Sequence, residues 1–405
     1  MIALPLKKLW GQSFISFAIK SITIAVTLIL TKVIIEKIGV DSYGQWAAYY
    51  SVITWGILFD LGIGSVIINK IKVGRGINLY ILLSAVAIYS FVILFFLISY
   101  IIFSESNDDF RLMLMLLVMM PLLTIVDKYY IARLVPYRVE LVQFIITLLF
   151  LLFIICSTDI FLEDLILSFV FITITVRGIV LFYTLYLELR SSKKFHLSKI
   201  AYISRYLIRT GAIFFILQIF AIILISFERF IILKIYGGEE TAAYDLISKV
   251  FLVVMVFGNI FARNLWGVVA NSNKSELAFS LNLLIIKYFV VLIFIFFTMA
   301  MAVPFIIDIW VGISVPLSLS LVLGLWSLFQ TYFVTSCNFM NGLQLHKTQL
   351  PFFIFCSILK FILIIAAWNK SLELNMYVGF SSLLLLPYVG YVVWFLIWKS
   401  RNDEQ

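Results

Sequence analysis

The sequence predicts an all-α polytopic membrane protein, with about 12 transmembrane helices in two six-helix bundles around a central cavity. Three observations predict it. Apolar segments fill the 405 residues almost end to end, with 63% hydrophobic residues and a mean hydropathy of +1.12. A bilayer core about 30 Å thick takes about 20 apolar residues per helix. Basic residues gather in every second loop. Polar residues recur at helical spacing inside the spans.

The spans run over 12–35, 43–69, 79–103, 111–132, 139–157 and 163–187, then 211–236, 243–270, 279–302, 316–340, 349–368 and 374–398. Lys and Arg beside a span mark its cytoplasmic end. The chain starts with Lys7 and Lys8, and Lys70, Lys72 and Arg75 fill the second loop. Lys128, Arg133 and Arg138 fill the fourth, Arg190, Lys193, Lys194, Lys199, Arg205 and Arg209 the sixth, Lys274 the eighth and Lys347 the tenth, and the tail carries Lys399 and Arg401. The intervening loops hold Asp41, Glu105, Asp108, Asp109, Asp159, Glu163, Asp164, Glu239, Glu240, Asp308 and Glu373. Both termini are therefore expected in the cytoplasm. This bias accounts for most of the net charge of +9. A basic total of this origin points to anionic lipid surface, not to nucleic acid.

The first apolar stretch is too long for a signal peptide and lacks a cleavage site, so it is expected to stay as span one. Cys156, Cys337 and Cys356 are scattered in apolar segments and read as small core residues. They form no redox or metal spacing. His196 and His346 read as loop residues. The sixth loop divides the chain into residues 1–187, a basic cytoplasmic linker 188–210 that alternates apolar and basic residues, and residues 211–405. The linker is expected to lie on the membrane as an amphipathic helix. Gly39 before Tyr43 and Gly237 before Tyr244 are an echo between the halves, as in transporters built from two repeats.

A helix facing only lipid has no reason to keep polar residues on one face. Span one does: Ser13, Ser16, Lys20, Thr23, Thr27 and Thr31 recur every three or four positions. Span two carries Gln45, Tyr49, Gly56 and a mid-helix Asp60. In span seven, Gln218 and Arg229 nearly eclipse; in span eleven, Gln349 and Lys360 do. Span eight sets Asp245, Lys249, Asn259 and Arg263 within a sector of roughly 80°. Span six has Thr173, Arg177 and Thr184, and span ten has Ser327, Thr331, Thr335 and Asn338. Lys32, Arg133 and Lys234 lie near enough to the ends to snorkel. Charge at membrane depth costs at least about 2.5–3.5 kcal/mol, so deep charges either pair or face a water-filled cavity. Lys20, Arg177, Arg229, Lys249, Arg263, Lys287 and Lys360 are the candidate cavity cations. Asp60, Asp127 and Glu228 are the deep anions and the candidates for proton or ion coupling. Asp60 is read either as a proton carrier or as a fixed partner of Lys20. An excess of Arg and Lys suits an anion, and phosphate matches both side chains.

KIGVDSYGQWAAYYSVITWGILFDLGIGSVIINKI (37–71), SFERFIILKIYGGEETAAYDLISKVF (226–251), FIIDIWVG (305–312) and NFMNGLQLHKTQ (338–349) together resemble the Wzx-type O-antigen flippases. These belong to the polysaccharide transporters of the multidrug/oligosaccharidyl-lipid/polysaccharide exporter superfamily. Gly39, Tyr43, Gly44, Asp60, Leu61 and Gly62 match the pattern of the second span. Glu228 followed by Arg229 departs from the lone acidic residue common in span seven.

The resemblance implies a flippase, not an enzyme, in a bacterial inner membrane. It would move an undecaprenyl-pyrophosphate-linked oligosaccharide from the cytoplasmic to the periplasmic leaflet by alternating access. An O-antigen polymerase and a chain-length regulator would be its partners. No cofactor is implied; coupling to a proton or sodium gradient is. One alternative is a cation-coupled multidrug exporter of the same superfamily, which would favour an acidic cavity. Another is a membrane enzyme such as an O-antigen polymerase, which usually needs a sizeable external loop.

Overall fold

A computed structural model of the chain describes residues 3–58, 60–70, 78–102, 108–133, 135–158, 160–191, 197–271, 278–343, 345–369 and 372–402. Among the described residues the structure is all-helical, with no strand. The first half forms α1 (Ala3–Ile38), α2 (Val40–Leu58), α3 (Ile63–Lys70), α4 (Asn78–Ile102), α5 (Asp108–Ala132), α6 (Tyr137–Cys156) and α7 (Leu162–Ser191). The second forms α8 (Leu197–Ala221), a π-helical turn (Ile222–Ser226), α9 (Glu228–Tyr236), α10 (Gly238–Asn271), α11 (Ala278–Val311), α12 (Leu317–Gly342), α13 (His346–Trp368), α14 (Leu374–Leu383) and α15 (Leu386–Asn402). Taking α2–α3, α8–α9 and α14–α15 as broken single spans gives the twelve segments of the sequence reading. Eight of them are long and apolar enough to cross a membrane by length and composition. α10 is a thirty-four-residue helix in which Asp245, Lys249 and Arg263 dilute the apolar character.

The breaks have local causes. Asp60 is not mid-helix: Leu61 and Gly62 turn through positive φ (50° and 70°), and the Asp60 carboxylate accepts from the Gly62 N–H (3.0 Å). Such an Asx turn stops α2 and restarts the chain as α3. The Asp60 carbonyl at the break accepts from the Ile63 N–H (2.9 Å) and from the Tyr89 hydroxyl (2.7 Å). In span seven, the π turn inserts residues between Gln218 and Arg229, so the two do not share one straight helical face.

Linker residues 188–191 close α7 and 197–210 open α8, which runs unbroken to Ala221. Residues 192–196, including Lys193, Lys194 and His196, lie outside those described, as do Lys72, Arg75, Glu105, Asp159 and Lys274. The start of α8 packs on α4 instead of lying free on a membrane. There, Ile203 and Leu207 are buried, and Ser84 donates to the Ile200 carbonyl (3.1 Å).

In the first bundle α1 packs on α6 and α2 on α5; in the second α12 packs on α10, α11 and α14. The seam is made by α10 against α1 and α2, α9 against α2, and α8 against α3 and α4. Phe14, Phe171, Phe182 and Phe294 face outward. An apolar exterior of this kind is stable only in lipid. Cys156 joins this outer surface and Cys337 is half-buried, so of the three cysteines Cys356 alone is a fully buried core residue.

Gly39 and Gly237 take positive φ (82° and 99°) in the equivalent turns before α2 and α10. A few residues on, the two helices cross so closely that a Cβ on Gly44 would lie 1.9 Å from the Gly238 carbonyl oxygen. Gly44→Ala should therefore force the crossing apart. Overpacking of this type costs about 1–3 kcal/mol, read as a lower melting temperature of the purified protein. An unchanged melting temperature would contradict so close a crossing.

Candidate functional site

A cavity of about 300 Å³ opens at the seam. From α1 it takes Lys20, Thr23, Thr27 and Thr31, so the polar face of span one is its wall. From α2 come Trp46 and Tyr50, from α6 Gln143, Thr147 and Phe150, and from α7 Phe169. The second half contributes Arg229 of α9 and Asp245 and Lys249 of α10.

One carboxylate organises the second-half side. Asp245 accepts from Arg229 Nε (2.6 Å) and lies 3.0 Å from Lys249 Nζ, one turn further along α10. The Tyr43 hydroxyl of α2 also donates to Asp245, and Lys249 donates to the Tyr43 oxygen. Lys249 donates to Thr31 of α1 as well (2.9 Å). Tyr43 is fully buried. The cluster thus joins α1 and α2 to α9 and α10 beside the Gly44–Gly238 crossing. At the opposite end of the α1 face, Lys20 Nζ lies 3.5 Å from Glu140. The side chains of Lys20, Arg229 and Lys249 keep 25%, 31% and 18% of their surface open. Three cations and one carboxylate therefore line the cavity, with Glu140 behind Lys20.

The other candidates lie elsewhere. Arg177 is buried against Asp127 (2.5 Å) and reaches the cavity only through Gln143 (3.3 Å). Lys360 is buried in the second bundle, bonded to Glu228 and to Ser381 (2.7 Å). Lys287 is exposed on α11 beside Val290, Val291 and Phe294, on the outer surface. The Arg263 side chain lies outside what is described. Asp60 is held by Gln218 (2.7 Å) as well as by Gly62, so it is not the partner of Lys20. Arg133 is tied to Glu188 (2.5 Å) and Tyr129. Gln349 bonds Asn341 and Tyr388, and the hydroxyls of Thr331 and Thr335 donate to their own helix, so the stripes on α12 and α13 serve packing.

The excess of deep cations expected from the sequence is thus largely cancelled by pairing: Asp127, Glu140 and Glu228 each meet one, and Asp245 meets two. Glu140 is the residue the sequence reading did not single out, and Asp245 was placed on the face of Lys249 but not counted among the deep anions. The spacing of Asp245 and Lys249, four apart on one face, was the available signal. Among the described residues no cluster of three or more His, Cys, Asp or Glu could hold a metal ion.

Solved structures with this fold include transporters of the multidrug/oligosaccharidyl-lipid/polysaccharide superfamily. A MATE protein in complex with MaL6 superposes with a TM-score of 0.73 at 11% identity, covering 99% of this chain and 97% of the other. A superfamily transporter from Pyrococcus furiosus, described as having a binding pocket of reverse polarity, gives 0.70 at 10% identity over 99% and 96%. An outward-facing multidrug resistance MATE family transporter gives 0.69 at 11% identity over 99% and 97%. No family model and no curated protein matches the sequence. The chain therefore has the two-bundle fold of these transporters.

Proposed function

We propose that the protein is a transporter that works by alternating access and carries a lipid-linked, phosphate-bearing oligosaccharide, of the undecaprenyl-pyrophosphate type, between the leaflets of a bacterial inner membrane. The observation that carries this reading is the cavity wall, where the three cations Lys20, Arg229 and Lys249 face Asp245, with Glu140 behind Lys20, and leave one cation in excess. Arg and Lys side chains that keep open surface are ready donors to phosphate oxygens. The seam position supports it too, since each half supplies part of the cavity and a substrate there is handed between bundles. Of the coupling candidates, Asp127 and Glu228 are each engaged by a cation. Asp60, at the break of span two, is the one we assign to proton or ion coupling.

A multidrug exporter is the second reading. Asp245 and the rings of Trp46, Tyr50, Phe150 and Phe169 favour it, because aromatic faces and a carboxylate attract lipophilic cations. Calorimetric titration of the purified protein in nanodiscs separates the two. Farnesyl diphosphate should bind and tetraphenylphosphonium should not; the reverse result would replace the first reading by the second.

A further inference from the structure

Resting on the anionic reading, we propose that the threonine face of α1 and α6 is a subsite for the hydroxyl groups of a sugar, distinct from the cations that take its phosphates. A hydroxyl has one proton to donate and two lone pairs to accept with. In this cavity the protons are already committed. Thr23 donates to the Ile19 carbonyl (2.9 Å), Thr27 to Thr23 (2.8 Å), Thr31 to Thr27 (2.8 Å) and Thr147 to Gln143 (2.9 Å). What these groups turn to the cavity is acceptor. Thr31 uses this capacity on the Lys249 ammonium (2.9 Å). Thr23, Thr27 and Thr147 offer theirs to an incoming donor.

A phosphate has only acceptor oxygens when ionised, so these threonine hydroxyls, with their protons committed, offer it no donor. A sugar, dense in O–H groups, does. The charges sit at the two ends of the row: Lys20 at one, Lys249 and Arg229 at the other. From Lys20 to Thr31 the helix rises about 16 Å, long enough to set a sugar beside a phosphate. The rings of Trp46, Tyr50, Phe150 and Phe169, which also line the cavity, pack with centroids 5.0 to 6.0 Å apart. They give an apolar wall for the C–H face of a pyranose. Gln143 completes the polarity. The Arg177 guanidinium, a donor only, holds the Gln143 carbonyl oxygen (3.3 Å), which leaves the amide N–H₂ to donate.

The test uses two probes, farnesyl diphosphate and farnesyl diphosphate-linked N-acetylglucosamine, titrated into the full chain in nanodiscs. The sugar-linked probe should bind wild type at least about tenfold more tightly. Thr27→Val keeps the shape and removes the acceptor; it should lose about three- to tenfold for the sugar-linked probe alone. Thr27→Ser should retain the preference, and farnesyl diphosphate should bind all three proteins alike. Equal affinity of wild type for the two probes would overturn the sugar subsite and leave the anionic reading standing. A Thr27→Val loss common to both probes would overturn it equally. Failure of wild type to bind either probe would overturn both.

Discussion

Replacing Lys360 with Met is expected to destabilise the second bundle more than any other single change considered. Lys360 is a charged side chain with 1% of its surface open, bonded to Glu228 of α9 and Ser381 of α14 and lying 4.9 Å from the Tyr377 ring centre. It therefore ties α13 to α9 and α14. Removing one member of a buried ion pair costs about 3–5 kcal/mol, mostly because the other is left charged and unpaired. The double variant Lys360→Met with Glu228→Gln leaves no charge behind and should recover most of the lost melting temperature. A Lys360→Met protein that melts with wild type, or a double variant less stable than the single, would contradict a structural pairing.

Glu228 shows what the sequence could and could not say. It was legible as a deep acid and its neighbour Arg229 as a cavity cation, but the partner that Glu228 takes was not legible. Adjacent residues on a helix point about 100° apart. Arg229 instead reaches Asp245 and the cavity, while Glu228 turns into the bundle to Lys360. A partner 132 positions away is invisible to periodicity. The π turn at 222–226 was equally hidden, because it has no composition of its own. The twelve apolar lengths were plain, since bilayer thickness fixes span length from composition alone. The polar face of span one was plain for the same reason: Thr at helical spacing in an apolar helix has no lipid-facing use. Asp60 was legible as an acid inside an apolar segment but not as a turn residue, although Asp-Leu-Gly is a helix-stopping sequence that could have been weighed.

The second large effect concerns transport. Arg229→Gln or Lys249→Gln each removes one cavity cation, yet Asp245 keeps the other and its Tyr43 hydroxyl. Neither change should orphan the carboxylate, so both proteins should fold and insert. If the substrate is the phosphate-bearing lipid proposed above, each loses a charge-assisted hydrogen bond to a phosphate oxygen, worth about 1.5–3 kcal/mol. That corresponds to roughly ten- to a hundredfold in binding of the anionic head. Lys249 carries a further consequence. It also bonds Thr31 and Tyr43 across the seam, so an anion that draws it away loosens the contact between α10 and the first bundle. Lys249→Gln should therefore depress transport at saturating substrate, whereas Arg229→Gln should act chiefly through affinity.

The most direct measurement is the rate at which proteoliposomes move a fluorescent undecaprenyl-diphosphate-linked sugar between leaflets, with wild type, Arg229→Gln and Lys249→Gln compared at equal protein density and sub-saturating substrate. A cationic cavity that carries the phosphates predicts flipping by wild type and about a tenfold or greater loss in both variants. Flipping unchanged by either substitution would contradict it.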